Sequence, residues 1–133
     1  GLPRAEYYHP ARDGGTLTSF FRHRRVEDVL ARPGLQDITA WVDVTAVAEA
    51  AGAAGFEVAG FATQAHFLLA TGLEREFGRA AEGRAAARLA QSQAVATLLL
   101  PGEMGERFKV IALARGIAGP LAGFAFRDLS DRL

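Results

Sequence analysis

The chain has no cysteine, which removes disulfides, thiolate nucleophiles and cysteine-based metal sites at once. It has no apolar run long enough to cross a membrane as a helix. It has no excess charge: fifteen basic and fifteen acidic residues cancel, so no overall field draws in nucleic acid or an anionic membrane. The Gly-rich phosphate loop GxxxxGK[ST], a GxGxxG after a strand, a nucleophile elbow and an HExxH pair are all missing. The three histidines, His9, His23 and His66, are far apart in sequence, and no metal site is expected. The first residues, GLPRAEYYHP, lack the basic start and apolar core of a signal peptide. A cytoplasmic setting is therefore expected, or a mitochondrial matrix in a eukaryote.

What remains is a chain of 133 residues, half of them apolar, which is enough for one core and at most one domain. Phe108-Lys109-Val110-Ile111-Ala112-Leu113-Ala114 is almost unbroken apolar sequence, bounded by Pro101-Gly102 and Gly116. An almost unbroken apolar run rich in β-formers reads as an interior strand over 107–114, covered on both faces; periodicity alone leaves a short buried helix open. Upstream, Val44, Val47, Ala48 and Ala51 form one stripe at helical spacing. Asp43 is placed to cap that helix, and Gly52 and Gly55 to stop it. Residues 56–61 follow as a strand. Thr63 can cap a second helix that buries Phe67, Leu68 and Leu69 and ends at Gly72. Residues 73–99 read as helical, broken near Gly78 and Gly83, with Leu89, Val95, Leu98 and Leu99 facing the core. Residues 1–14 read as an extended loop, 16–21 as β-prone, and 117–133 as irregular or a weak edge strand at Phe124-Ala125-Phe126.

Polar residues gather where loops meet elements: Asp37, Thr39 and Asp43, then Thr63 and Gln64. Ligands in open α/β sheets bind beyond the carboxyl ends of strands, so these positions are candidates for a site. They are equally candidates for capping free backbone donors, although Gln64 has the least obvious capping role. Arg22-His23-Arg24-Arg25 is the densest positive charge. Such a cluster reads as a solvated surface or a set of ion pairs; a nucleic-acid surface would recruit more basic residues and aromatic platforms.

Taken in order, Gly15-Thr16-Leu17, His23-Arg24, Pro33-Gly34, Asp37-Ile38-Thr39, Val42-Asp43, Thr63-Gln64, Phe67-Leu68, Gly72 and Met104-Gly105-Glu106-Arg107-Phe108-Lys109 resemble the MidA family. These are S-adenosylmethionine-dependent methyltransferases, including the mitochondrial methyltransferase that assists assembly of respiratory complex I. The resemblance runs over about residues 1–123. It implies an α/β fold: the carboxy-terminal portion of a Rossmann-like class I methyltransferase sheet, residues 1–133 forming a single partial domain with a helical insertion at 63–100. The glycine motif for S-adenosylmethionine would lie upstream of this chain, so no cofactor-binding residue is expected within it.

The resemblance also implies methyl transfer to a nitrogen, an arginine side chain of a protein substrate in the mitochondrial member. A guanidinium acceptor needs carboxylates to orient it and take its proton. Asp37, Asp43 and Glu106 are the candidates by residue type and motif match, with Gln64 as an orienting partner and His23 as a proton acceptor near neutral pH. The alternative from the same fold is a non-catalytic interaction module, pairing through a bare sheet edge with another protein or a second copy of itself.

Overall fold

In the computed structural model, residues 1–80 and 85–133 are described, and they form an α/β fold with two small sheets. The chain divides into two compact units, Gly1–Thr45 and Ala46–Leu133.

In the first unit a short helix α1 (Arg4–Tyr7) follows Leu2, and a 3-10 turn at Pro10–Arg12 comes next. The expected extended loop over 1–14 is therefore replaced by local helical turns. Pro3 stands at the α1 N-cap, and Leu2 is pinned by exchanging hydrogen bonds with the chain at 42–44: Leu2 N–H donates to Val42 O (2.9 Å) and Val44 N–H to Leu2 O (3.0 Å). Three strands, β1 (Thr18–Phe21), β2 (Arg24–Val26) and β3 (Asp37–Thr39), form an antiparallel sheet in the order β2-β1-β3. The register pairs Phe21 with Arg24 and Phe20 with both Arg25 and Asp37. Only Arg22 and His23 separate β1 from β2, and both adopt left-handed backbone, φ 50° and 63°. A two-residue hairpin of this hand matches the strand twist but normally uses Asn or Gly. Two bulky residues there carry local strain. Ser19 is fully buried, and its hydroxyl donates to Val26 O at 2.9 Å, fastening β2 to β1.

Helix α2 (Val44–Ala53) follows Asp43 directly. Its stripe forms as the spacing predicts: Val44 and Ala51 are buried, Val47 and Ala48 half-buried. At its far end Gly55 takes φ 78°, and Arg115 donates from Nε to Gly55 O (3.1 Å) and from Nη2 to Ala54 O, capping carbonyls that a helix end leaves free.

The second unit is built on β4 (Glu57–Thr63), paired antiparallel with β5. Between them come α3 (Gln64–Ala70), α4 (Leu73–Ala80) and α5 (Ala85–Leu99), then β5 (Lys109–Ala114). The expected strand at 107–114 exists, and the helix alternative does not. Within the described residues β5 has β4 on one side and no strand on the other, so most of it is half-buried and Leu113 is exposed. Phe61, at 1% exposure, is the largest fully buried side chain among the described residues. Its backbone bonds outward, Phe61 N–H to Asp128 Oδ1 (3.1 Å) and Leu129 N–H to Phe61 O (2.7 Å), so the carboxy-terminal segment covers that flank of β4. Phe67 of α3 meets Phe124 edge to face at 5.6 Å, over Gly60 and Gly123, whose missing Cβ atoms leave room for the two rings.

Thr63 caps α3 as expected, its hydroxyl accepting from His66 N–H at 3.3 Å, and Gly72 ends it at φ 90°. On α5 the expected inward face holds for Val95, Leu98 and Leu99, which are half-buried, but Leu89 is 63% exposed. The expected helix break at Gly83 lies outside the described residues. Residues 122–124 form a 3-10 turn instead of an edge strand, because Phe124 turns inward onto Gly60.

Candidate functional site

In the first unit the hairpin and β3 place Phe20, Arg22, His23 and Asp37 around one open cavity of about 480 Å³. His23 sits at the tip of the turn, and Asp37 stands on β3 opposite Phe20. Two of the five sequence candidates, far apart in the chain, are thus brought to one cavity by the antiparallel register. The third, Asp43, does not line it: its Oδ2 is 3.4 Å from Arg4 Nε, beside the bridge to Leu2. A guanidinium already occupies that carboxylate. Phe20 and Arg22 were not among the candidates. A strand residue facing a cavity and the first residue of a tight turn carry no local chemical signature in sequence.

In the second unit the start of α3 is bonded to the chain on either side of Glu106. Gln64 N–H donates to Phe108 O and Ala65 N–H to Gly105 O, each at 3.0 Å. The Gln64 side chain donates from Nε2 to Leu98 O, also at 3.0 Å. It therefore fastens the first turn of α3 to the last turn of α5, satisfying a carbonyl that α5 would leave free. Glu106 is exposed, and its backbone carbonyl accepts from Lys109 Nζ.

His66 joins this group. Its Nδ1 is 2.8 Å from Thr63 Oγ1, and its ring stacks on Phe126 at 5.7 Å. Burial lowers its pKa below the usual histidine value, with Arg127 adding to the effect and Glu106 opposing it. The Thr63-x-x-His66 spacing, one helical turn, was the available signal for this pair. Asp128 is also shifted down. Burial works the other way, but hydrogen bonds from the Ser130 hydroxyl and from the N–H groups of Phe61, Ser130 and Leu129 outweigh it. No cluster of three or more acidic or histidine side chains able to hold a metal occurs among the described residues. No described helix is long and apolar enough to cross a membrane.

Comparison with known proteins gives a class first. Residues 1–62 match the family model Methyltransf_28, described as "Putative S-adenosyl-L-methionine-dependent methyltransferase". Two crystal structures from Burkholderia thailandensis then match over the whole chain, each at 44% identity and a TM-score of 0.95. One is described as "a COG1565 superfamily member and likely methyl transferase" bound to S-adenosyl-homocysteine. The other is the native structure of a COG1565 superfamily protein. The chain spans 34% and 36% of their respective lengths, about a third. No curated protein matches. The family model and the first of the two structures are both described in terms of methyl transfer.

Proposed function

We propose that this chain is the acceptor-side, carboxy-terminal part of an S-adenosylmethionine-dependent methyltransferase that modifies a nitrogen, with a protein arginine as the acceptor. The observation that carries the reading is the match over the full chain, at 44% identity, to a crystal structure with S-adenosyl-homocysteine bound. This chain carries no glycine-rich motif suited to the adenosyl cofactor, so the cofactor site is assigned to polypeptide outside these residues. When bound, the cofactor supplies the methyl group.

The chain's own part is control of the acceptor. Asp37 lines the cavity with His23, and a carboxylate there can hold a guanidinium through paired N–H donors. His23 can take up the proton that the acceptor nitrogen must release. Arg22 lines the same cavity and can balance the Asp37 charge before the acceptor arrives. Asp43, Gln64 and Glu106 remain candidates for the site; the hydrogen bond of Gln64 to Leu98 O and the pairing of Asp43 with Arg4 give each of these two a structural role as well.

The test is methyl transfer from labelled S-adenosylmethionine to arginine-containing peptides by the full polypeptide. Asp37→Asn and His23→Gln are each expected to lower kcat/KM by about 100-fold or more, the usual scale for a positioned acid or base. Binding of S-adenosyl-homocysteine by calorimetry should be unchanged. Transfer at the wild-type rate by the folded double variant would remove both residues from the acceptor site.

A second reading has one observation in its favour, the open flank of β5: a non-catalytic module that pairs through that edge. Absence of S-adenosyl-homocysteine binding by the full polypeptide, with stable dimers in light scattering, would select it.

A further inference from the structure

A second cavity, of about 610 Å³, lies along the β1–β2 hairpin and is lined by Phe21, Arg22, Arg24, Arg25, Val26 and Arg32. Four of the six lining residues are arginines, and no carboxylate lines it. None of the four has an ion-pair partner among the described residues. The neighbouring Asp28 is engaged elsewhere, its Oδ1 accepting from Leu30 N–H at 2.9 Å.

The arrangement is held in place locally. Arg22 and Arg32 lie over the Phe21 ring, with guanidinium carbons 5.3 and 4.6 Å from its centre. The loop carrying Arg32 is pinned by Gln36, whose amide donates to Asp28 O at 3.2 Å and to Val29 O. Gly34, at φ 78°, turns the loop back towards β3. Four like charges in a cavity that no carboxylate lines repel one another, and an arriving anion relieves that repulsion.

We propose that this hairpin face is a docking surface for an acidic, extended segment of a partner protein. Three features favour that occupant. The charges are spread along a strand and a loop, which suits carboxylates repeated along a chain better than one compact anion. β2 is the edge strand of its sheet, and no backbone hydrogen bond reaches its outer flank among the described residues, so an extended segment can add there. Phe21 and Val26 supply apolar contact between the charges. Single-stranded nucleic acid is disfavoured because Phe21, the one aromatic ring in the cavity, already stacks with two guanidinium groups, and because the rest of the chain adds no net positive charge. The inference stands apart from methyl transfer.

Fluorescence polarisation of a labelled peptide alternating Glu and Val, titrated with the full polypeptide, tests the proposal. The peptide is expected to bind, more weakly as salt is raised, and its Gln-for-Glu counterpart at least tenfold more weakly. Arg24→Gln with Arg25→Gln should weaken binding at least tenfold, and Arg88→Gln on α5 should not. If the double variant fails to fold, Arg32→Gln alone should weaken binding at least threefold. Equal affinity for the Gln peptide, insensitivity to these arginines, tighter binding of oligouridylate, or complete displacement of the peptide by millimolar inorganic phosphate would overturn the proposal. Absence of methyl transfer by the unmodified full polypeptide, with peptide binding intact, would count against the proposed transferase reading and not against this surface.

Discussion

Gly60→Ala tests the packing that holds the second unit together. The substitution adds one methyl group at a buried position in β4, beside a register irregularity between Val58 and Gly60. On intrinsic grounds it should help, since glycine inside a strand costs roughly 0.5–1 kcal/mol relative to alanine. The neighbours decide otherwise. The new Cβ would fall 2.3 Å from both Cγ and Cδ2 of Phe124 and 2.6 Å from Cδ1. Carbon atoms sit comfortably at about 3.5–4.0 Å, so the ring must retreat by more than about 1 Å. These are ring carbons, not the free end of a flexible chain, and the ring is only 7% exposed. Retreat also disturbs the edge-to-face contact with Phe67, worth roughly 0.5–1.5 kcal/mol. Overpacking of this kind costs about 1–3 kcal/mol. Setting the three contributions together predicts a net loss of about 2 kcal/mol, read from urea unfolding. In a Phe124→Ala background the same change should cost nothing or stabilise slightly, giving a coupling of about 2–3 kcal/mol. An equal loss in both backgrounds, or a gain in the wild-type background, would refute this account of Gly60.

Gln64→Leu removes the donor to Leu98 O while keeping the side-chain size, and is expected to lower stability by about 1 kcal/mol in urea unfolding; an unchanged midpoint with reduced transferase activity would instead make Gln64 an acceptor-site residue. Asp128 has a folded pKa below its ordinary value, so its stabilising contribution is complete above about pH 5 and disappears as the pH falls through the unfolded value near 3.9 and then the folded one. Unfolding midpoints of the wild type and Asp128→Asn should therefore differ at neutral pH and draw together as the pH falls below the unfolded value; a gap that stays constant as the pH is lowered contradicts the assignment.

The parts legible in sequence are those whose cause is local. The α2 stripe, the Thr63 cap and the Gly72 stop each depend on residues within a turn or two of one another. β2 was hidden because its hairpin turn uses Arg22 and His23 in left-handed backbone, where the usual signal is Asn or Gly. α1 was hidden because Leu2 is anchored by residues 42–44, some forty positions on. The turn at 122–124 depends on Phe124 finding Gly60, and the support of Phe61 depends on Asp128, 67 residues away. Such contacts leave no periodic trace. For the candidate site, residue type and the motif match nominated His23 and Asp37, but their meeting at one cavity follows from the β1–β3 register. The same residue-type reasoning could not foresee that Gln64 has a carbonyl to satisfy on α5.

The two flanks of the β4–β5 pair are unequal, and the inequality bears on the proposal that this chain is part of a longer polypeptide. Phe61 turns its N–H and C=O away from β5, towards Asp128 and Leu129. In an antiparallel pair the residue opposite does the same, so Ile111, the partner of Phe61, turns both groups to the other flank. No backbone partner meets Ile111 there among the described residues. Isolated two-stranded ribbons are marginal, and an apolar edge such as Lys109–Ala114 invites a further strand. In the Burkholderia thailandensis structures about two-thirds of the chain lies beyond the part matched here, which is ample polypeptide to supply one. The Ile111 amide is therefore expected to exchange its hydrogen slowly in the full polypeptide, at least about 100-fold more slowly than in the 133-residue chain studied alone as a monomer. Fast exchange of Ile111 in the full polypeptide would mean that the flank stays open to solvent and that no strand completes the sheet there.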